Sequence, residues 1–289
     1  MAGPEGLARR SGARGTARTT RYDSRLPSAP PFRLPSARAA PSSLARGARP
    51  LEGWNQSPYG PERIEDSMLA ELLPSTVAAV EVRTDPVDIP LFPEEEAHVR
   101  DAAPKRRAEF TAVRWCARRA MAGLGLPAAP VVPGRRGAPG WGPGLAGSMT
   151  HCAGFRAAAL ARHRDVRSLG IDAEPNTSLP AGILEEISLG PERRQIAALR
   201  HARPEIAWDR LLFSAKESVF KTWYPTTGLE LGFHQALITF DPDQRGFRAR
   251  LLTAAAGDSA PRSYTGRYGV EGGILATAIA QLAPALVPA

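Results

Sequence analysis

Trp208-Asp209-Arg210-Leu211-Leu212-Phe213-Ser214-Ala215-Lys216-Glu217-Ser218-Val219-Phe220-Lys221-Thr222-Trp223-Tyr224 reads as one helix, stopped by Pro225. Val219 and Trp223 stand four residues apart and predict a face turned to a core. Glu217 and Lys221 also stand four apart. As a surface pair, the plain reading, they would contribute only about 0.2–0.5 kcal/mol. Composition makes the lysines more telling. Of 37 basic residues only three are lysines, Lys105, Lys216 and Lys221, in a chain rich in Ala, Arg, Gly and Pro. Lysine is a compact point charge that suits a phosphate cluster, and Glu217 beside the two lysines suits a metal.

Upstream, Leu169-Gly170-Ile171-Asp172-Ala173-Glu174 closes a strand expected over 166–172. Residues i and i+2 of a strand share a face, so Asp172 and Glu174 stand side by side. Like charges that close repel, and a cation between them relieves the repulsion. A few hard oxygen ligands, with room left for water and phosphate, suit Mg²⁺. A solvated polar strand end would show the same residues.

Two further segments can meet phosphate. Gly147-Ser148-Met149-Thr150-His151-Cys152 closes a Gly/Pro-rich loop over 127–147 and leads into a strand at 155–161. Glycine lets backbone approach a ligand closely, and Ser148 and His151 can donate to phosphate oxygens. A turn with a satisfied histidine is the plainer alternative. A serine-hydrolase reading is weaker still, for want of a G-x-S-x-G elbow. The other segment is basic. A helix predicted from Pro104 to about Gly123 carries Phe110, Val113, Ala117, Ala120, Met121 and Leu124 at helical spacing, with Arg107, Arg114 and Arg118 opposite. Arg106 and Arg114 are slightly over two turns apart and can lean toward one ligand. Gly134-Arg135-Arg136-Gly137 in the loop adds to this basic set.

Strands are also expected at 77–82, 235–240, 247–253 and 274–281. The chain then reads as two α+β halves, 68–165 and 166–289, each with one long helix. Residues 1–67 are expected to be a disordered tail, rich in Pro, Ser, Ala, Gly and Arg and without a sustained period. Their composition is transit-peptide-like, but a start placed too early, with Met68 opening the patterned chain, is the simpler reading. Residues 1–50 hold ten arginines against Glu5 and Asp23, a balance of +8, whereas residues 51–289 hold 27 basic and 27 acidic side chains. The excess charge sits on the tail, so a general nucleic-acid binder is disfavoured. No apolar run is long enough to cross a bilayer, and two cysteines without a CxxC pattern predict a reduced, cytoplasmic protein.

Taken together these segments resemble the 4′-phosphopantetheinyl transferase superfamily, in the branch of the enterobactin-synthase component D and related actinobacterial carrier-protein activators. The resemblance covers most of 68–285. It rests on four motifs in family order: Lys105-Arg-Arg-x-Glu-Phe-x-x-Val-Arg114, Gly147 to Cys152, Gly170-Ile-Asp-Ala-Glu174, and Trp208-x-x-x-x-Phe-Ser-Ala-Lys-Glu-Ser-Val-Phe-Lys221. Each is weak alone; the ordered set is specific. The resemblance implies a pseudo-dimer of two similar α+β halves with the active site between them. It implies a magnesium site of Asp172, Glu174 and Glu217. Arg106, Arg114, Arg136, Ser148, His151, Lys216 and Lys221 would bind coenzyme A as co-substrate. Relatives carry a lysine where this chain has Pro133, and Arg135 or Arg136 is expected to replace it.

The implied reaction is that of a holo-[acyl-carrier-protein] synthase, which moves 4′-phosphopantetheine from coenzyme A to a serine of an apo acyl or peptidyl carrier protein. Glu217, Lys216 and His151 would be catalytic, with Glu217 taking the serine proton directly or through a water. Siderophore biosynthesis (an enterobactin synthase complex included), polyketide, nonribosomal-peptide and fatty-acid synthesis are all open as the pathway. A monomer, with neither nucleic acid nor membrane as partner, is expected. The segment Leu179 to Arg194, apolar and then basic, is a candidate carrier surface or else a core helix. The alternatives are another Mg-dependent phosphate enzyme and a coenzyme A-binding module.

Overall fold

The computed structural model describes residues 67–253 and 261–284. The tail expected over 1–67 lies outside them except for Ser67. That residue caps helix α1 (Met68–Leu72), its Oγ accepting from the Ala70 N–H and donating to Glu81. Then follow β1 (Ala78–Val82), α2 (Pro93–Glu96), α3 (Pro104–Gly123), a short β2 (Val132–Pro133) and β3 (Pro139–Gly140) pair, β4 (Leu145–Cys152), β5 (Phe155–Arg162) and β6 (Val166–Pro175). The chain continues through α4 (Ile183–Ile187), α5 (Gly190–Ala202), α6 (Trp208–Thr227), β7 (Ala236–Asp241), β8 (Gly246–Leu251), β9 (Ser263–Glu271) and β10 (Ile274–Leu282). The class is α+β, as the sequence pattern indicates.

The strands form two larger antiparallel sheets, ordered β1-β5-β4 and β6-β10-β9-β8-β7. Helix α3 covers the first through Cys116, Ala117, Ala120 and Met121. Helix α6 covers the second through Trp208, Leu212, Val219 and Trp223, burying the Val219–Trp223 face that the spacing predicts. A further core of Phe155, Leu169, Ile171 and Ile274 fills the space where the sheets meet under α1. Edge strands β4 and β6 are joined by side chains instead of a backbone ladder. Ser148 Oγ accepts from the Ile171 N–H at 3.0 Å, and Thr150 Oγ1 accepts from the Ala173 N–H at 3.1 Å. Residues i and i+2 of β4 thus satisfy two amides along β6.

Several elements differ from their sequence expectation. Residues 145–152 form a strand where the pattern predicts a loop reaching to Gly147. The space above Gly147 is filled by Trp141 and Leu160, so its missing side chain serves packing, not ligand approach. Strand β9 escapes the hydrophobic pattern because one of its inward positions is Gly266, over which the Phe247 ring lies. Helix α6 passes through Pro225 and ends at Gly228, which takes φ 66 and donates to the Tyr224 carbonyl. Arg114 and Arg118 of α3 are buried, not solvated. Arg118 pairs with buried Glu95, while Arg114 lies 3.3 Å from the Phe110 ring centre and donates to the Val131 carbonyl. In the 179–194 segment Ile187 is fully buried, and Leu179, Ile183 and Leu184 pack against the α6 core while remaining half-buried.

Candidate active site

Helix α6 approaches β6 because three small polar residues, Ser214, Ser218 and Thr222, recur every four positions along one face. Ser214 and Ser218 hydrogen-bond the Thr277 hydroxyl on β10, directly opposite Asp172 in the ladder. Thr222 backs onto Gly170. With the helix seated this way, Glu217 and Lys221 come beside Asp172 and Glu174.

Asp172 is the centre of the cluster. Lys221 Nζ lies 2.7 Å from its Oδ1 and also donates to the Ile171 carbonyl at 3.2 Å. The Thr150 hydroxyl, already accepting from Ala173, donates to the same Oδ1 at 3.2 Å. The other oxygen, Oδ2, is buried without a hydrogen-bond partner. An orphaned buried carboxylate oxygen is costly unless something binds it. Glu174 pairs with Arg210 at 3.2 Å. The Glu217 side chain makes no hydrogen bond among the described residues. Burial first, then Asp172, pushes the carboxyls of Glu174 and Glu217 up to about 7. For Lys221, burial acts downward, but Asp172 and Glu217 outweigh it and its pKa is raised.

Among the described residues no three Asp, Glu, His or Cys side chains already converge as a finished metal cage. Mg²⁺ does not require one: it keeps several waters and takes one or two carboxylates plus phosphate oxygens. The orphaned Asp172 oxygen and two neighbouring carboxyls held near neutrality fit such an ion, because each gains when a cation arrives.

His151, on β4 beside this cluster, has its Nε2 3.3 Å from Arg106 Nη1 and 3.5 Å from a Glu109 oxygen. Burial first, then Arg106 and Lys221, pulls its pKa down to about 4, so the ring is neutral at pH 7 and its Nε2 accepts from Arg106. The structure therefore brings Asp172, Glu174, Glu217, Lys221, His151 and Arg106 together.

The other expected ligands are engaged elsewhere. Lys216 is 3% exposed and gives its three protons to Glu192 and to the carbonyls of Phe233 and Ala236, at 2.7–3.0 Å. Five residues of helix separate it from Lys221 by roughly 140° of rotation, which turns the two lysines to different faces. Ser148 is 3% exposed, with its Oγ in the β4–β6 seam. Arg114 is held by Phe110 and Val131, and burial pulls its pKa down to about 9. Arg135 and Arg136 are both exposed; Arg136, with φ 57, pairs with Glu230 at 2.6 Å. That ion pair borders a cavity of about 300 Å³ whose wall includes Lys216, Glu217, Phe220, Leu231 and Phe233.

Two residues of the site escape the sequence reading. Thr150 is legible in principle, two positions after Ser148 on the same strand face. Arg210 lies seven residues before Glu217, two turns up the same helix face.

Two family models match the chain. Residues 94–161 match the 4′-phosphopantetheinyl transferase N-terminal domain, and residues 168–271 match the 4′-phosphopantetheinyl transferase superfamily. The chain is 55% identical to 4′-phosphopantetheinyl transferase Svp of Streptomyces mobaraensis, over 75% of this chain and 91% of that protein. It is 44% identical to 4′-phosphopantetheinyl transferase PptT of Mycobacterium tuberculosis, over 74% of this chain and 97% of that one. With 4′-phosphopantetheinyl transferase Npt of Nocardia iowensis the identity is 41%, over 74% and 99%.

Proposed function

The chain belongs to the 4′-phosphopantetheinyl transferase superfamily, and from that membership we propose that it transfers 4′-phosphopantetheine from coenzyme A to a serine of an apo carrier protein, leaving 3′,5′-ADP. The observation that carries the site assignment is the buried, unpartnered Oδ2 of Asp172 beside Glu174 and Glu217.

Asp172, Glu174 and Glu217 would hold a magnesium ion, which when bound supplies charge neutralisation to the diphosphate. Lys221 is charged and sits on a flexible stem, so it can leave Asp172 for a phosphate oxygen. Arg106 meets phosphate from the first turn of α3, with His151 next to it; the exposed 3′-phosphate is the group they suit. The cavity beside Glu217, walled by Phe220, Leu231 and Phe233, suits the pantetheine arm and lies in the lower range of small-molecule pockets. Glu217 would take the serine proton, directly or through a water. The serine oxygen forms a bond to the β-phosphorus, the bond from that phosphorus to the 3′,5′-ADP oxygen breaks, and the serine proton passes to Glu217. Positioning and electrostatics supply most of the rate.

We read residues 68–165 and 166–289 as two halves that each contribute a wall of this site, in a monomeric protein. No helix among the described residues is long and apolar enough to cross a membrane, and the cytoplasm, where coenzyme A and apo-carriers occur, is the compartment proposed. The test is to incubate the protein with coenzyme A, Mg²⁺ and apo-carriers from siderophore, polyketide, nonribosomal-peptide and fatty-acid systems. One phosphopantetheine mass added to a carrier supports the reading and identifies the pathway. Hydrolysis of a small phosphodiester without carrier, or coenzyme A binding with no transfer to any carrier, overturns it.

A further inference from the structure

Two of the three clustered carboxylates already have a cation from the chain itself. Lys221 sits on Asp172 and Arg210 on Glu174. The two cations are held differently. Lys221 reaches one backbone carbonyl, that of Ile171, through a flexible stem. Arg210 uses its whole fork: Nε donates to the Thr177 carbonyl at 3.1 Å, Nη2 to the Ser178 carbonyl at 3.3 Å, and Nη1 to Glu174 Oε2 at 3.2 Å.

The loop that supplies those carbonyls is itself fixed to the start of α6. Asn176 accepts from the Ala207 N–H and donates to the Glu205 carbonyl, and the Leu179 N–H donates to buried Asp209. Arg210 therefore cannot leave Glu174 by a simple rotamer change, as Lys221 can leave Asp172. The charges have a further consequence. Asp172, Glu174 and Glu217 when ionised, against Lys221 and Arg210, leave one net negative charge. A divalent cation alone meets a weak field there. Coenzyme A would bring several negative charges on its phosphates, which compete with Asp172 for Lys221.

We propose that Arg210 is a positioning residue for the transfer reaction: clamped to the Thr177 and Ser178 carbonyls, it fixes Glu174 and keeps the ligand-free carboxylate cluster near neutrality, so that a divalent cation binds tightly only together with coenzyme A. This rests on the transferase reading above. By linkage, the metal must then tighten coenzyme A by the same factor.

The experiment is Mn²⁺ binding to the full chain, followed by electron paramagnetic resonance at pH 8, with and without coenzyme A and with no carrier present. In the wild type, coenzyme A is expected to tighten Mn²⁺ by about tenfold or more. Arg210→Gln, which removes the charge, is expected to bind Mn²⁺ alone about tenfold more tightly and to lose a corresponding part of the coupling. Arg210→Lys keeps the charge and should retain weak binding of Mn²⁺ alone. It loses the fork, so kcat should fall while the KM for coenzyme A holds. A folded Arg210→Gln protein with unchanged or weaker Mn²⁺ affinity overturns the proposal. So does a wild type in which coenzyme A leaves Mn²⁺ affinity unmoved, a result that needs no variant to fold. Asp172→Asn separates the two levels. If it leaves Mn²⁺ binding intact in the presence of coenzyme A, the metal-site reading itself fails. If it abolishes that binding while Arg210→Gln changes nothing, only the role of Arg210 is lost.

Discussion

A Cβ atom on Gly170 would lie 2.2 Å from the Ser218 carbonyl oxygen, so strand β6 and helix α6 touch backbone to backbone. The same added atom would meet the Thr222 hydroxyl at 2.3 Å. This contact sets the spacing between the strand carboxylates and Glu217 with Lys221, and Gly170 stands two residues before Asp172.

Gly170→Ala should therefore force the helix off the strand. Overpacking of this kind costs about 1–3 kcal/mol, read as a lower melting temperature. Transfer activity should fall further than the loss of folded protein accounts for, because the two pairs of side chains separate. Gly269→Ala is the control. The atoms nearest its Cβ would belong to the flexible side chains of Met68, at 3.1 Å, and Leu72, at 3.6 Å. Equal effects from the two substitutions would show that the Gly170 contact does not set the site.

How much of this is legible in the sequence depends on whether the partner lies on the same element. The strand pair Asp172 and Glu174, and the helix pair Glu217 and Lys221, follow from periods of 2 and 3.6 and are neighbours as those periods predict. Their meeting across Gly170 is a tertiary fact, suggested only by the order of the motifs. Lys216 shows the limit. Its scarcity makes it conspicuous, but its partners Glu192, Phe233 and Ala236 lie on three other segments, and no local pattern announces them. Arg114 is similar: its carbonyl partner, Val131, sits in the Gly/Pro loop. Ser148 reads as a ligand from sequence because the seam between β4 and β6 has no sequence signature.

Asp172→Asn and Glu217→Gln should each reduce transfer by on the order of 10²-fold or more while leaving circular dichroism unchanged. Asp172 holds the orphaned oxygen and Lys221, and Glu217 is the proton acceptor in the mechanism above. Glu174→Gln should act differently, raising the Mg²⁺ concentration needed for half-maximal rate more than it lowers the maximal rate. Near-normal turnover of Asp172→Asn at low Mg²⁺ would contradict the assignment.

His151 gives a pH signature. In the folded chain its pKa is lowered from 6.5 to about 4 by burial, Arg106 and Lys221. The unfolded chain therefore takes up this proton first, and acid favours unfolding. The stability at stake is present above about pH 6.5 and is lost as pH falls toward 4. His151→Gln should flatten the melting-temperature profile in that window. Coenzyme A should raise the His151 pKa, since an anionic phosphate beside the ring favours imidazolium. A two-dimensional NMR titration of the ring protons reads both effects. A His151 pKa unmoved by coenzyme A would place the phosphates elsewhere.

The two lysines of α6 should separate cleanly. Lys216→Met leaves Glu192 buried at the junction of α5, α6 and β7, where it also accepts from the Leu189 and Ile238 N–H groups. Stranding one member of a buried ion pair costs about 3–5 kcal/mol. The melting temperature should drop sharply, and although Lys216 also lines the cavity assigned to the pantetheine arm, any change in the KM for coenzyme A of the remaining folded enzyme should be small beside that loss. Glu192→Gln added to Lys216→Met should recover part of the loss, because the amide side chain carries no charge and still accepts through its oxygen. Lys221→Met also strands a buried carboxylate, Asp172, so some stability should be lost; what sets it apart from Lys216→Met is that kcat/KM for coenzyme A falls in the protein that remains folded. If Lys216→Met instead weakens coenzyme A binding in a protein of normal stability, its bonds to Glu192, Phe233 and Ala236 must open on substrate binding, and Lys216 returns to the set of phosphate ligands.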